Sequence, residues 1–313
     1  RDVGHIAMVG ESPLMREVKA YLLKVAATDS PALITGETGT GKELVVEWIH
    51  QQSPRRRKPL VCLNCAAIPD SLLESELFGY EKGAFTGAHA RKEGQLQLAD
   101  GGTVFFDEIG DMSPYAQAKI LRAVESKEVQ RLGGKNGVPV NVRVIAATNR
   151  NLERLMAEEK FRADLYFRLN VAQIHLPPLR ERKEDLPALC DYYIREMNRR
   201  FGREVEGFTD EAHAILLRHD WPGNVRELKN LIEATFINLP PRRISLMDLP
   251  EPFRRRLREA EELPRDERDH LLSALFATNW NMSKAAQQLC WSRMTLYRKM
   301  AKYHVVRGGA ATS

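Results

Sequence analysis

The sequence predicts an α/β fold with a mostly parallel sheet, followed by a helical subdomain and a small all-α unit. Four β-like runs, 32–35, 60–66, 103–106 and 142–147, are rich in Val, Ile, Leu or Phe and alternate with helix-like stretches, as in a parallel sheet covered on both faces. From Leu179 onward, apolar residues recur at three- and four-residue steps, notably over 186–200 and 210–219, which reads as helix. A charged stretch with Pro252 and Pro264 then reads as a linker or a solvated helix, and a third unit begins near Asp266.

A chain of 313 residues with 43% hydrophobic content is long enough for two or three domains, the largest with a substantial core. It has no run of eighteen apolar residues and no signal segment, so a soluble protein is expected. It opens on Arg1 rather than Met, so an upstream segment is expected. Cys62, Cys65, Cys190 and Cys290 are too scattered for a disulfide framework and fit a reducing cytoplasm. Cys62 and Cys65 lie in an apolar run without a second pair, so they read as core thiols and no structural metal is expected. The net charge is only +5, but no Asp or Glu follows Asp269, and this basic end points to a polyanionic partner. Arg55, Arg56, Arg57 and Lys58 read as a solvated loop.

Gly36, Glu37, Thr38, Gly39, Thr40, Gly41 and Lys42 follow the first strand and precede a helical run over 43–50, the setting of a phosphate-binding loop. Glycines admit backbone N–H groups to phosphates, the helix N-terminus adds positive potential, and Lys42 neutralises the outer phosphates. Glu43 stands where Ser or Thr usually ligates magnesium. The run 103–108 ends in two acids, so ATP with Mg2+ is expected, Asp107 on the metal and Glu108 on the attacking water. The alternative is a pair of acids that merely caps a strand.

Gly83, Ala84, Phe85, Thr86, Gly87 and Ala88 form a loop whose glycines permit a tight turn with Phe85 and Thr86 at its tip. The residues alone leave a partner contact and a buried hairpin tip equally open. At the other end, Leu271, Leu272, Leu275 and Phe276 share one helix face, Ser283 can cap a second helix through Leu289, and Ser292 a third through Tyr303. Three short helices fit a helix-turn-helix, with a small oligomerisation module as the alternative.

From Gly10 to about Phe253 the chain resembles the AAA+ domain of bacterial sigma-54-dependent transcriptional activators. Residues 78–88 carry the resemblance, because they contain the GAFTGA loop that this family uses to contact sigma-54. The resemblance implies 1–178 as the α/β subdomain and 179–253 as the helical lid, then a linker over 254–265. It makes Glu43 the family's own pattern. Asn64 resembles the switch asparagine that holds Glu108, Thr148 and Asn149 the sensor of the γ-phosphate, and Arg226 the second sensor on the lid. Arg162 and Arg168 match the pair that supplies arginine fingers to a neighbouring subunit. Gly133 and Gly134 match a second pore-side loop. The residues alone also allow strand-end caps and surface ion pairs for these positions.

Residues 281–286 and 292–299 resemble a Fis-type DNA-binding domain, here 266–306, before a disordered tail at 307–313. The resemblance places Ser292, Arg293, Thr295 and Arg298 toward the major groove, Leu296 and Met300 toward the core, and Lys299 and Lys302 on phosphates. Cys290 departs from the family's glycine at the turn. The implied protein is a cytoplasmic bacterial activator bound to upstream enhancer DNA. Its dimers assemble into a ring of six or seven subunits that hydrolyses ATP to remodel sigma-54 RNA polymerase holoenzyme and open the promoter. Rival readings are a general AAA+ remodelling enzyme, which the intact GAFTGA loop opposes, and a repressor that only senses nucleotide, which Lys42, Asp107, Glu108 and the arginine pair oppose.

Overall fold

The computed structural model describes residues 8–67, 69–262, 271, 274, 275, 278, 281–289 and 291–302. They fall into two compact units divided after Ile244. The first opens with α1 (Pro13–Ala26), whose N-cap Ser12 accepts a hydrogen bond from the Met15 amide, and continues with β1 (Ala32–Thr35), α2 (Lys42–Gln51) and β2 (Leu60–Asn64). After α3 (Asp70–Phe78), the short strands β3 (Gly79–Tyr80) and β4 (Lys92–Glu93) pair antiparallel. Next come α4 (Gln95–Leu98), β5 (Thr103–Asp107) and α5 (Pro114–Ser126), then a second antiparallel hairpin, β6 (Glu128–Gln130) with β7 (Gly137–Pro139). The α/β part closes with β8 (Arg143–Thr148), α6 (Leu152–Ala157), α7 (Ala163–Leu169) and β9 (Ala172–His175).

The five-stranded sheet has the order β2-β5-β8-β1-β9, and every pairing is parallel. Alternate residues feed two cores. Leu33, Val104, Phe106, Val144 and Ala146 face one layer, and Ile34, Phe105, Ile145 and Ala147 face the other. Each of the larger side chains among them contributes about 1.5–3 kcal/mol on burial, which is why the central strands read as apolar runs. The fifth strand, β9, is absent from the sequence expectation. It lies at the edge, so its residues are alternately buried and exposed and make no apolar run.

The strands also correct two expectations about single residues. Cys65 is buried, and burial pushes its thiol up to about 12, but Cys62 on the edge strand β2 is exposed rather than a core thiol. Arg55 is no solvated loop residue: it pairs with Asp29 at 2.9 Å and donates to the carbonyls of Gly102 and Asn141 at 3.0 and 2.8 Å. These bonds join segments that composition cannot connect.

Two 3₁₀ turns, Leu179–Glu181 and Lys183–Asp185, lead into α8 (Leu186–Phe201), α9 (Asp210–Arg218) and α10 (Asn224–Ile237). The fully buried Trp221 anchors this helical part, its indole N–H donating to the Leu216 carbonyl at 2.9 Å. No helix among the described residues is long and apolar enough to cross a membrane.

In the second unit the charged stretch is a helix, Glu251–Glu262. Helices Met282–Gln288 and Arg293–Lys302 pack through Ala285, Ala286 and Leu296 against Leu271, Ala274 and Leu275. Asn281, not Ser283, caps the former, accepting from the Lys284 amide at 3.1 Å; an asparagine caps as well as a serine, so composition does not choose between neighbours. Ser292 caps the latter as expected. Leu272, Phe276, Cys290, Tyr303, the linker beyond 262 and the tail lie outside the described residues.

Candidate functional site

Parallel sheets present ligand sites at the carboxyl ends of their strands, and the predicted polar residues gather there. The loop 36–42 joins β1 to α2, Asn64 ends β2, Asp107 ends β5, and Asn149 follows β8. Several of them line a cleft of about 580 Å3, among them Thr38, Lys42, Glu43, Asp107, Glu108 and Asn149. Lys42 is buried at the first turn of α2 and donates to the Gly36 carbonyl at 3.0 Å. Its Nζ stands 3.4 Å from Glu108 Oε1.

Glu108 has a left-handed backbone, φ 51°, which turns its side chain away from β2 and toward the glycine-rich loop. Its Oε2 accepts from the Asn149 amide at 2.9 Å, and the Asn149 side chain donates to Thr38 Oγ1 at 2.8 Å. Asn64, expected to hold Glu108, is in register with Asp107 on the neighbouring strand, and its Nδ2 donates to Asp107 Oδ2 at 3.5 Å. Burial and the adjacent Glu108 raise the Asp107 carboxyl above the usual range, while Lys42 opposes the shift. Glu43, Asp107, Glu108 and Asp111 line the cleft together with Lys42, Arg226 and Lys229, and the carboxylates offer hard-oxygen donors of the kind Mg2+ takes. Among the described residues no three such groups converge to form a complete metal site.

The helical part closes the cleft from above. Arg226 lines it and donates its main-chain N–H to the Gly39 carbonyl at 3.2 Å. The Glu37 side chain does not line the cleft. Its carboxylate binds both ends of the Arg180 guanidinium at 2.6 and 2.8 Å, which holds it down at about 2. An adjoining cavity of about 340 Å3 has Val9, Leu44, Leu189, Tyr192 and Tyr193 among its walls. Sequence reasoning missed it because these residues come from three distant segments and form no motif.

The loop between β3 and β4 is tied at its neck, the Gly83 amide donating to the Ala88 carbonyl at 2.9 Å. Gly83 and Gly87 have φ of 83° and 102°, as the predicted turn requires. Ala88 is buried, Thr86 is exposed, and Phe85 is 47% exposed, packed edge-on to Tyr80 with ring centroids 4.9 Å apart. The hairpin of β6 and β7 is fastened to this loop. Arg131 reaches Glu81 at 2.8 Å, the Leu132 amide bonds the Gly79 carbonyl, and a Cβ on Gly133 would lie 2.9 Å from the Ala84 Cβ.

Arg162 caps the start of α7 and Arg168 lies in its last turn, both exposed, and neither lines the cleft. Arg162 forks onto Asp164 at 2.7 and 3.0 Å. In the second unit, Ser292, Arg293 and Arg298 are exposed, Thr295 and Lys299 are half-buried, and Lys302 ends its helix. Leu296 is fully buried and Met300 packs against the same core. Met294, 80% exposed, and Tyr297 also present surface on this helix and were not predicted.

Comparison with known proteins follows this division. Residues 8–175 match the sigma-54 interaction domain, 180–265 the AAA+ ATPase lid domain, and 263–303 the bacterial regulatory proteins of the Fis family. The chain is 46% identical over 307 residues to the transcriptional regulatory protein ZraR of Salmonella typhimurium, covering 96% of this chain and 70% of that protein. It is 46% identical over 292 residues to the Nif-specific regulatory protein of Azotobacter vinelandii, covering 90% and 56% respectively. The crystal structure of NtrX from Brucella abortus in complex with ATP superposes with a TM-score of 0.75 at 34% identity, over 96% of this chain and 70% of that one. The chain belongs to the sigma-54-dependent transcriptional regulators, with a AAA+ sigma-54 interaction domain, a AAA+ lid and a Fis-type helix-turn-helix.

Proposed function

We propose that this chain binds and hydrolyses ATP in a ring and uses the hydrolysis to remodel sigma-54 RNA polymerase at promoters, while its helix-turn-helix holds upstream DNA. The observation that carries this reading is the contact chain Lys42, Glu108, Asn149 and Thr38 at one cleft, in the same compact unit as the exposed Phe85–Thr86 tip.

In this mechanism the N–H groups of the loop 36–42 and the N-terminus of α2 cradle the phosphates, and Lys42 leaves Glu108 to neutralise the outer ones. Asp107, with Glu43 close by, would hold Mg2+, which supplies charge neutralisation between the phosphates when bound. Glu108 orients the attacking water and accepts its proton, and Asn149 keeps that carboxylate aimed. Arg226 senses the γ-phosphate from the lid. Arg162 exchanges Asp164 for a neighbour's nucleotide, joined by Arg168, so that ring assembly switches on turnover; such a cation is worth about 10³–10⁵ in rate. Asn64 and Asp107 end paired strands, and α3 lies in the chain between β2 and the neck of the tip loop, which makes it the route by which a shift at the acids would reach Phe85.

The test is open-complex formation by purified sigma-54 polymerase with this chain and ATP. Thr86→Ala should keep ATP turnover within about twofold and lose promoter opening by at least about tenfold. Normal promoter opening by that variant sinks the sigma-54 contact.

A further inference from the structure

Four consecutive residues of the phosphate loop are gripped from the lid. Glu37 takes the Arg180 fork and, at 3.1 Å, the Asn224 side-chain amide, which also donates to the Thr38 carbonyl at 3.1 Å. The Arg226 amide bonds the Gly39 carbonyl at 3.2 Å, and Arg182 bonds the Thr40 carbonyl at 3.3 Å. Every one of these lid groups is a donor and every loop partner an acceptor. A loop whose acceptors are engaged on its outer face is free to turn its N–H groups inward, the arrangement an anion needs.

The lid residues are shaped for this grip. Asn224 is fully buried, adopts a left-handed φ of 52°, and accepts from the Leu179 amide at 2.8 Å, so both ends of its amide are used. Gly39 and Gly223 touch backbone to backbone; a Cβ on Gly39 would lie 2.3 Å from the Gly223 carbonyl oxygen. Glu37 is the one acidic side chain within the loop 36–42, and in a site for a polyanion an unpaired carboxylate repels the ligand. Arg180 cancels that charge and converts it into an attachment point.

We infer that the Glu37 side chain is a positioning group, fastening the lid to the phosphate loop through Arg180 and Asn224, and that its carboxylate does not bind nucleotide. The same lid segment carries Arg226, so the seat on Glu37 sets where Arg226 stands over the phosphates. Nucleotide and lid then act on one loop from opposite faces. A lid loosened from Glu37 leaves binding largely intact and misplaces Arg226 in the transition state.

The inference rests on the ATPase reading, and the experiment separates the two. Glu37→Gln, Arg180→Gln and the double variant are compared with the unaltered chain in steady-state ATP turnover and in amide exchange over 225–228 without nucleotide. Each single variant should lower kcat about tenfold with KM within about threefold, and the double should be no worse than either single, as for one shared interaction. The amides over 225–228 should exchange about tenfold faster in all three variants. Unaltered kcat and exchange in the single variants overturn the inference. So does a loss that appears only as a raised KM with lowered melting temperature, which marks a damaged loop instead of a misplaced lid. An unaltered chain that turns over no ATP removes the ATPase reading, and the exchange result still decides whether Glu37 holds the lid.

Discussion

The Asn149 main-chain N–H donates to Glu108 Oε2 at 2.9 Å, while the other carboxylate oxygen of Glu108 faces Lys42 at 3.4 Å. One acid is thus held between the end of a central strand and the phosphate loop. Glu108→Gln keeps the shape and one acceptor but loses the base, so turnover should fall on the order of 10²–10⁴-fold with nucleotide binding retained. Lys42→Ala should instead weaken binding about 100-fold. Fluorescent-nucleotide titration and phosphate release separate the two, and unchanged turnover in Glu108→Gln removes the assignment.

Arg168 is exposed on α7 and outside the cleft of its own chain. If it serves a neighbour, Arg168→Ala and Glu108→Gln chains should each be nearly inactive, yet their mixture should recover turnover at least about tenfold above either alone. In a mixed ring some sites pair an intact Glu108 with an intact Arg168. A mixture as inactive as its components places Arg168 within its own subunit's site or in folding.

Arg293 opens the terminal described helix with its side chain exposed, while Leu296 one turn further on is fully buried and anchors the helix to the core. Arg293→Ala should therefore reduce specific DNA affinity by about 1–3 kcal/mol, relax selectivity at one base pair and leave ATP turnover unchanged. Gel-shift titration against matched and mismatched sites reads this. Equal affinity for both variants at the specific site takes Arg293 off the reading face.

His50 is buried on α2, its ring within 3.0 Å of Thr103 Oγ1 and 3.1 Å of the Lys58 carbonyl. Burial lowers its pKa below the ordinary 6.5. The folded state thus favours the neutral ring, and this contribution is complete above about pH 6.5 and lost as pH falls through the lowered value. Melting temperature between pH 7.5 and 5 should fall more steeply for the unaltered chain than for His50→Gln. Parallel curves would contradict this assignment.

Much of the fold was legible because its signals are local. β5 and β8 are buried on both faces, so they are continuously apolar over 104–106 and 144–147, whereas the edge strand β9 alternates and escaped notice. The cap of helix Met282–Gln288 was placed two residues late because Asn281 and Ser283 are both competent caps and only the backbone path chooses. The cleft beside Tyr193 was not legible at all, since its walls meet only after the helical part folds back over β1.

By itself the sequence determined the family, the glycine-rich loop 36–42, the acid pair at 107–108, the tip loop at 83–88 and the basic terminal helix, because each is a short string whose chemistry depends on its immediate neighbours. Only the tertiary structure decided which way these groups face. Glu37 turns from the phosphate side to Arg180 and Asn224, partners 143 and 187 residues away. Asn64 meets Asp107 instead of Glu108 because strand register sets one and a left-handed backbone turns the other aside. Identity is written residue by residue, but orientation follows from packing between segments that no local pattern links.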